Sequence, residues 1–292
     1  MVNRFKPGWC YGEKNNQMND FTRTMRQQFD QMLAWTARSQ SDVKSCKPYI
    51  TKRHGNLALH FDHLSVQSEM AMDMPDELVL SYTRVMMSFL LLDPSPKHIT
   101  MIGLGGGSLA KYCYRHLPKT KITVIEINPD VIALRNEFAI PPDDARFKVL
   151  LDDGAAFVSA PDNGLQVLIV DGFDSGGQPA QLGSQRFYDD CFASLANNGS
   201  LVVNLWGSNP NYNEYLARIK NSFSGRVAVV VAKDGLNKIV LAVKSAGFEP
   251  SATTIRQHAN LLSLSHSLNF QAKADKLISA FCGYANRSAS TA

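Results

Sequence analysis

The chain has 292 residues, 45% of them hydrophobic and 19% charged, with a formal net charge of +4. That composition excludes a disordered or coiled-coil chain. No apolar run reaches the roughly 18–20 residues of a membrane span, and so mild a charge makes nucleic acid a poor partner. The five cysteines, Cys10, Cys46, Cys113, Cys191 and Cys282, form no C-x-x-C pair. They read as reduced thiols rather than a disulfide frame or metal site. With no apolar signal core in "MVNRFKPGWCYGEKNNQ", the expected location is the cytoplasm.

In chain order, residues 1–46 read as a helical extension and linker. Phe21, Met25, Phe29 and Met32 recur at helical spacing. Residues 47–75 change period. "PYITKR", "LALHFDH" and "LSVQSEM" are short β-type runs around the turn "HGN", which predicts a small antiparallel hairpin unit. A helix "PDELVLSYTRVMMSFLLL" is expected next, with Pro75 at its start and "DPSP" at its end.

Residues 76–292 are expected to form the main domain. "HITMIGL", "KITVIEI", "FKVLL", "LQVLIVDG" and "SLVVNLW" are apolar, β-branched strands. Helices "SLAKYCYRHL" and "NPDVIALRNEF" separate the first three, the second capped by Asn128 with Pro129 following. Such alternation predicts a parallel sheet covered on both faces. "RVAVVVA" and "KIVLAVK" around "KDGLN" predict a hairpin that adds antiparallel strands, and "QAKADKLISAFCGYA" a closing helix.

Gly103, Gly105 and Gly107 form G-x-G-x-G between a strand and a helix. A turn this bare lets backbone approach a ligand, and the helix N-terminus favours an electron-rich group. Dinucleotide enzymes need a third glycine where Ser108 stands; the shorter spacing suits an adenosyl sulfonium, which has no pyrophosphate. Glu126, ending the next strand, can accept both ribose hydroxyls. Asp152 or Asp153, beside Gly154, can face the adenine amine, although Asp-Gly is also a common turn pair. Asp171 is delivered to the carboxyl end of "VLIV", with Asp174 three residues on. Two carboxylates in one loop suit a cationic amine: one holds an ammonium while the other removes a proton.

The run "IGLGGG", "VIEINPDVI", "DDGAAFV", "VLIVDGFDSGG" and "QRFYDDCFASLANNGSLVVN" resembles the spermidine/spermine synthase family, the polyamine aminopropyltransferases, over roughly residues 47–245. The resemblance implies an α/β fold: a Rossmann-like, methyltransferase-type sheet behind a small N-terminal antiparallel β unit, here with a helical extension, paired as a homodimer. It implies transfer of an aminopropyl group from decarboxylated S-adenosylmethionine to a diamine such as putrescine, leaving methylthioadenosine. That donor is a co-substrate; no tightly bound cofactor and no metal are expected. By the resemblance Glu126 holds the ribose, Asp153 the adenine, Asp171 is the base, and Asp174, Tyr82 and Gln67 bind the acceptor. The glycines Gly103, Gly105, Gly106 and Gly107 form the donor loop.

Two departures stand out. Gly106 occupies the place of the aspartate in the family's G-G-G-D-G-G, which helps to hold the donor's amine. "DGFDS" keeps both acids of the family's acceptor loop and loses its proline. The missing acid keeps two alternatives open: a methyltransferase using ordinary S-adenosylmethionine on the same scaffold, and a non-catalytic nucleoside-binding relative.

Overall fold

The computed structural model describes residues 47–62, 65–160, 164–174, 177–245 and 251–288, with side chains as far as Cys282. The amphipathic helix expected before residue 40 lies outside the described residues. The described ones all belong to one compact unit, Ser45–Ala292.

Strands β1 (Tyr49–Arg53), β2 (Asn56–His60) and β3 (Ser68–Ala71) form an antiparallel three-stranded sheet in that order. His54 and Gly55 close the first hairpin with φ of 50° and 80°, the paired left-handed geometry that matches strand twist. Leu57 and Leu59 on β2 and Met70 on β3 are buried and share a core with the helices that follow. The next helix differs from its expected start. α1 runs Ser81–Met86 and tightens into a 3-10 turn over Met87–Leu91. Residues before it are held out of the helix by side chains: Arg84 donates to the Leu78 and Val79 carbonyls at 2.8 and 2.9 Å, and Thr83 to Leu80 at 2.7 Å. Proline at position 75 therefore begins a turn, not the helix.

The main sheet contains β4 (His98–Ile102), β5 (Lys121–Glu126), β6 (Phe147–Leu151), β7 (Leu165–Val170), β8 (Leu195–Trp206), β9 (Val227–Val231) and β10 (Asn237–Val243). Their order is β6-β5-β4-β7-β8-β10-β9. The first five are parallel, and β10 runs antiparallel to both β8 and β9. On β7, Val167 and Ile169 face one core while Leu168 and Val170 face the other, the period of two of a strand buried on both sides.

Among the helices are α2 (Ser108–His116), α3 (Pro129–Ala133), α4 (Gly154–Ser159), α5 (Gln185–Ser194), α6 (Tyr212–Ser222), α7 (Ala252–Leu262) and α8 (Phe270–Ser288). α3 is shorter than expected: just after Ala133 the bonds from Leu134 N to Val131 O and from Arg135 N to Ile132 O, both 3.1 Å, span three residues instead of four. Strand order reverses at β4, between β5 and β7. In open sheets of this kind the crevice beyond the carboxyl ends at that reversal is where ligands bind.

Candidate functional site

The glycine loop leaves β4 inside this crevice. Gly103 has φ of +96°, and a Cβ there would stand 2.4 Å from the Asp171 carbonyl oxygen. Only glycine fits. The contact is reinforced when Asp171 N donates to Ile102 O at 2.9 Å. The loop after β4 and the acid after β7 are thereby placed side by side. Gly105 and Gly107 also have positive φ, and Gly107 precedes α2.

Glu126, 8% exposed, is fixed by backbone. Its Oε2 accepts from Leu104 N and its Oε1 from Asn128 N, both at 2.8 Å. The carboxylate therefore joins the glycine loop to the turn before α3, whose cap Asn128 accepts from Asp130 N at 2.9 Å. Beside it stand two apolar side chains in solvent, Ile127 at 58% and Leu151 at 60% exposure. Glu126 is paired in register with Leu151. Asp153 caps α4, its Oδ1 accepting from Ala155 N at 2.8 Å, and Asp152 N donates to Glu126 O at 3.1 Å.

Asp171 is held by side chains. Asn204 on β8 donates from Nδ2 to its Oδ1 at 2.8 Å, and the Tyr82 hydroxyl on α1 faces the same carboxylate. Burial pushes the Asp171 carboxyl up to about 6, while Asn204 and Tyr82 pull it down. Tyr82 is raised well above the usual phenol range, chiefly by burial and then by the charge of Asp171. A carboxylate poised near neutrality can take a proton and release it, and such perturbed acids concentrate at reacting centres. Next to Tyr82, Ser81 Oγ hydrogen-bonds Asp234 in the β9–β10 turn, which fastens that hairpin to α1.

The structure thus brings Gly103, Gly105, Glu126, Tyr82 and Asp171 to one edge of the sheet. Asp174 lies exposed in the loop after Asp171, its backbone bridged to Gly177 by bonds of 2.8 and 3.1 Å. Gln67 turns its amide to Ser65 Oγ at 3.3 Å. The residue of that segment lying against the glycine loop is its neighbour Ser68, 3.7 Å from the Cβ that Gly105 lacks. Gly106 is buried beneath the loop: a Cβ there would lie 2.7 Å from both the Phe138 ring and Ser68 Oγ. The space where an aspartate side chain would begin is already filled by these two side chains.

Sequence reasoning missed Ser68, Asn204 and Asn237. Asn204 had a usable signal, a lone amide within the apolar run "SLVVNLW", because a buried polar group needs partners. Asn237, in the turn-like "DGLNK", had none.

A family model described as "Spermine/spermidine synthase domain" matches residues 79–234. The polyamine aminopropyltransferase of Neisseria meningitidis (serogroup A strain) is 38% identical over 219 residues, covering 74% of this chain and 83% of that protein. A probable spermidine synthase from Corynebacterium glutamicum superposes with a TM-score of 0.60 at 19% identity, covering 76% of this chain and 91% of that one. A spermidine synthase solved in complex with the transition-state analogue AdoDATO gives 0.58 at 20% identity, covering 78% and 84%.

Proposed function

Because this chain belongs to the spermine/spermidine synthase family, we propose that it moves an aminopropyl group from decarboxylated S-adenosylmethionine to a polyamine acceptor such as putrescine. One observation carries the reading: a half-buried carboxylate, Asp171, lies beside the glycine loop with Asn204 bonded to it, and desolvation raises it to about 6 against the pull of Asn204 and Tyr82. The donor named here is a co-substrate, in keeping with the analogue bound by the related synthase.

The reaction is a displacement at the carbon next to a sulfonium. The amine nitrogen forms the new C–N bond as the C–S bond breaks, and the thioether leaves neutral, without an acid. The acceptor arrives as an ammonium with a pKa of about 10 and must lose one proton before it can attack. Asp171 takes that proton and passes it to water. In-line placement of amine and carbon supplies much of the remaining acceleration.

For the donor, Glu126 accepts the ribose hydroxyls with its backbone-fixed oxygens, Asp153 accepts the adenine amine, and Ile127 and Leu151 give the base an apolar surface. Asp174 and Tyr82 line the acceptor side, with Gln67 at its margin. The packed Gly106 favours a second reading, methyl transfer from ordinary S-adenosylmethionine, because no carboxylate there repels the amino-acid group. We read the protein further as a cytoplasmic homodimer without nucleic-acid or membrane partners; among the described residues no helix is long and apolar enough to cross a membrane. The test supplies each donor with putrescine and identifies products by mass. Spermidine and methylthioadenosine from the decarboxylated donor are expected. A methylated product from S-adenosylmethionine alone would replace this reading with the second.

A further inference from the structure

The Asn204 side chain sits between two hydrogen bonds of opposite sense. Its Nδ2 donates to Asp171 Oδ1 at 2.8 Å, and its Oδ1 accepts from Asn237 Nδ2 at 2.9 Å. Asn204 is 3% exposed, so water does not substitute for either partner. The two ends of an asparagine amide have the same shape, and only neighbours decide which end faces which way. Turned over, Asn204 would aim its carbonyl at a carboxylate and its NH2 at another NH2. The placement is set by register: on the antiparallel pair, Asn204 is opposite Ile239 and Asn237 opposite Trp206, so the two amides meet on the diagonal. Asn237 is itself anchored, its backbone N–H donating to Asp234 Oδ1 at 3.2 Å, while Ser81 Oγ bonds the same Asp234.

We propose that Asn237 is a positioning residue for the base: acting through Asn204, it keeps an N–H donor aimed at Asp171 and so favours the ionised carboxylate. The proposal rests on the reading of Asp171 as the proton acceptor. Every donor in the path points the same way, from Asn237 to Asn204 to Asp171, and the Tyr82 hydroxyl meets the carboxylate from α1. The other charged groups at this edge are Asp174, three residues along, and Asp234, whose charge reaches Tyr82. Lys238 is turned away, its Nζ 4.0 Å from the centre of the Tyr212 ring.

The test follows the Asp171 carboxyl by carbon-13 NMR across pH, with Asp171→Asn assigning the signal, and compares the acid limb of kcat/KM. Asn237→Gln keeps an amide and is expected to retain the wild-type midpoint. Asn237→Leu removes the donor without adding charge, and the midpoint should rise by a fraction of a unit. Asn237→Asp can only accept from Asn204, which must then turn over, and the midpoint should rise by about one unit or more. In an Asn204→Leu background, Asn237→Leu should cause no further shift. Midpoints unmoved in folded Asn237→Leu and Asn237→Asp, or an Asn237→Leu shift that persists in the Asn204→Leu background, would overturn the proposal. The titration needs no turnover. If no aminopropyl product forms, the functional reading fails while the titration still decides the role of Asn237.

Discussion

Two carboxylates stand at the same edge of the sheet, and the fold holds them by different means. Glu126 is gripped by main chain, the N–H groups of Leu104 and Asn128, which every non-proline residue supplies. Asp171 is held by a side chain from another element, Asn204, with Tyr82 facing it, and burial leaves it near 6. A group that only accepts hydrogen bonds from a donor's ribose gains from a fixed charge and a local scaffold. A group that must exchange a proton gains from an environment that can be tuned residue by residue. Under the proposed function, the contrast is that between a binding acid and a reacting one.

Asp171→Asn breaks the contrast most severely. It keeps the shape but cannot take a proton, so kcat is expected to fall by about 10²–10⁴, while methylthioadenosine binding, measured by calorimetry, stays within about twofold. Full turnover in this variant would remove Asp171 from the chemistry.

Glu126→Ala should do the reverse, and more. It takes charge-assisted bonds from the ribose and leaves the Leu104 and Asn128 N–H groups without their acceptor. Binding of methylthioadenosine should weaken by at least about tenfold, and stability should fall by about 1–3 kcal/mol. Calorimetry and urea unfolding check the pair; weak binding with unchanged stability would show that the backbone grip is not what orients Glu126.

Gly106→Ala sharpens the same division. Its methyl group would press on Phe138 and Ser68 beneath the donor loop, with a cost of about 1–3 kcal/mol from overpacking. The donor KM should rise while the acid limb of the rate profile stays near pH 6, because the surroundings of Asp171 are untouched. A limb that moves with this substitution would mean the two halves are coupled through the loop.

The smallest effect concerns stability and pH. The folded state holds the Asp171 proton more tightly than the unfolded chain, where an aspartate titrates near 3.9. Its contribution to stability is therefore fully present below about pH 4 and lost as pH rises through about 6. Asp171→Asn, free of the buried charge, should be more stable than the wild type at pH 7 by about 1–2 kcal/mol. The gap should close toward pH 4, as followed by urea unfolding.

The sequence made the donor half readable because its parts are local. Strand, glycine turn, helix and strand-end acid all fall between His98 and Glu126, and each has a residue pattern of its own. The three-stranded unit and the β9–β10 hairpin were legible for the same reason: alternation and turn residues are short-range signals. α4, α5, α6 and α7 were not separately foreseen, and α1 was drawn too long, since its start is set by Arg84 and Thr83 rather than by Pro75. At the site, Asp171 and Tyr82 were named, but the partners that tune the acid come from strands far along the chain. The packing beside Gly106 was not legible, because what fills that space, Phe138 and Ser68, comes from two other segments.

The β8–β10 pairing also gives the site an order in time. During synthesis the elements from β4 to α4 emerge before β8, β9 and β10. The base emerges soon after, but its asparagine relay does not exist until β10 has left the ribosome and inserted between β8 and β9. Under the proposed function, competence to react then depends on the hairpin that ends the sheet, which emerges last of its strands.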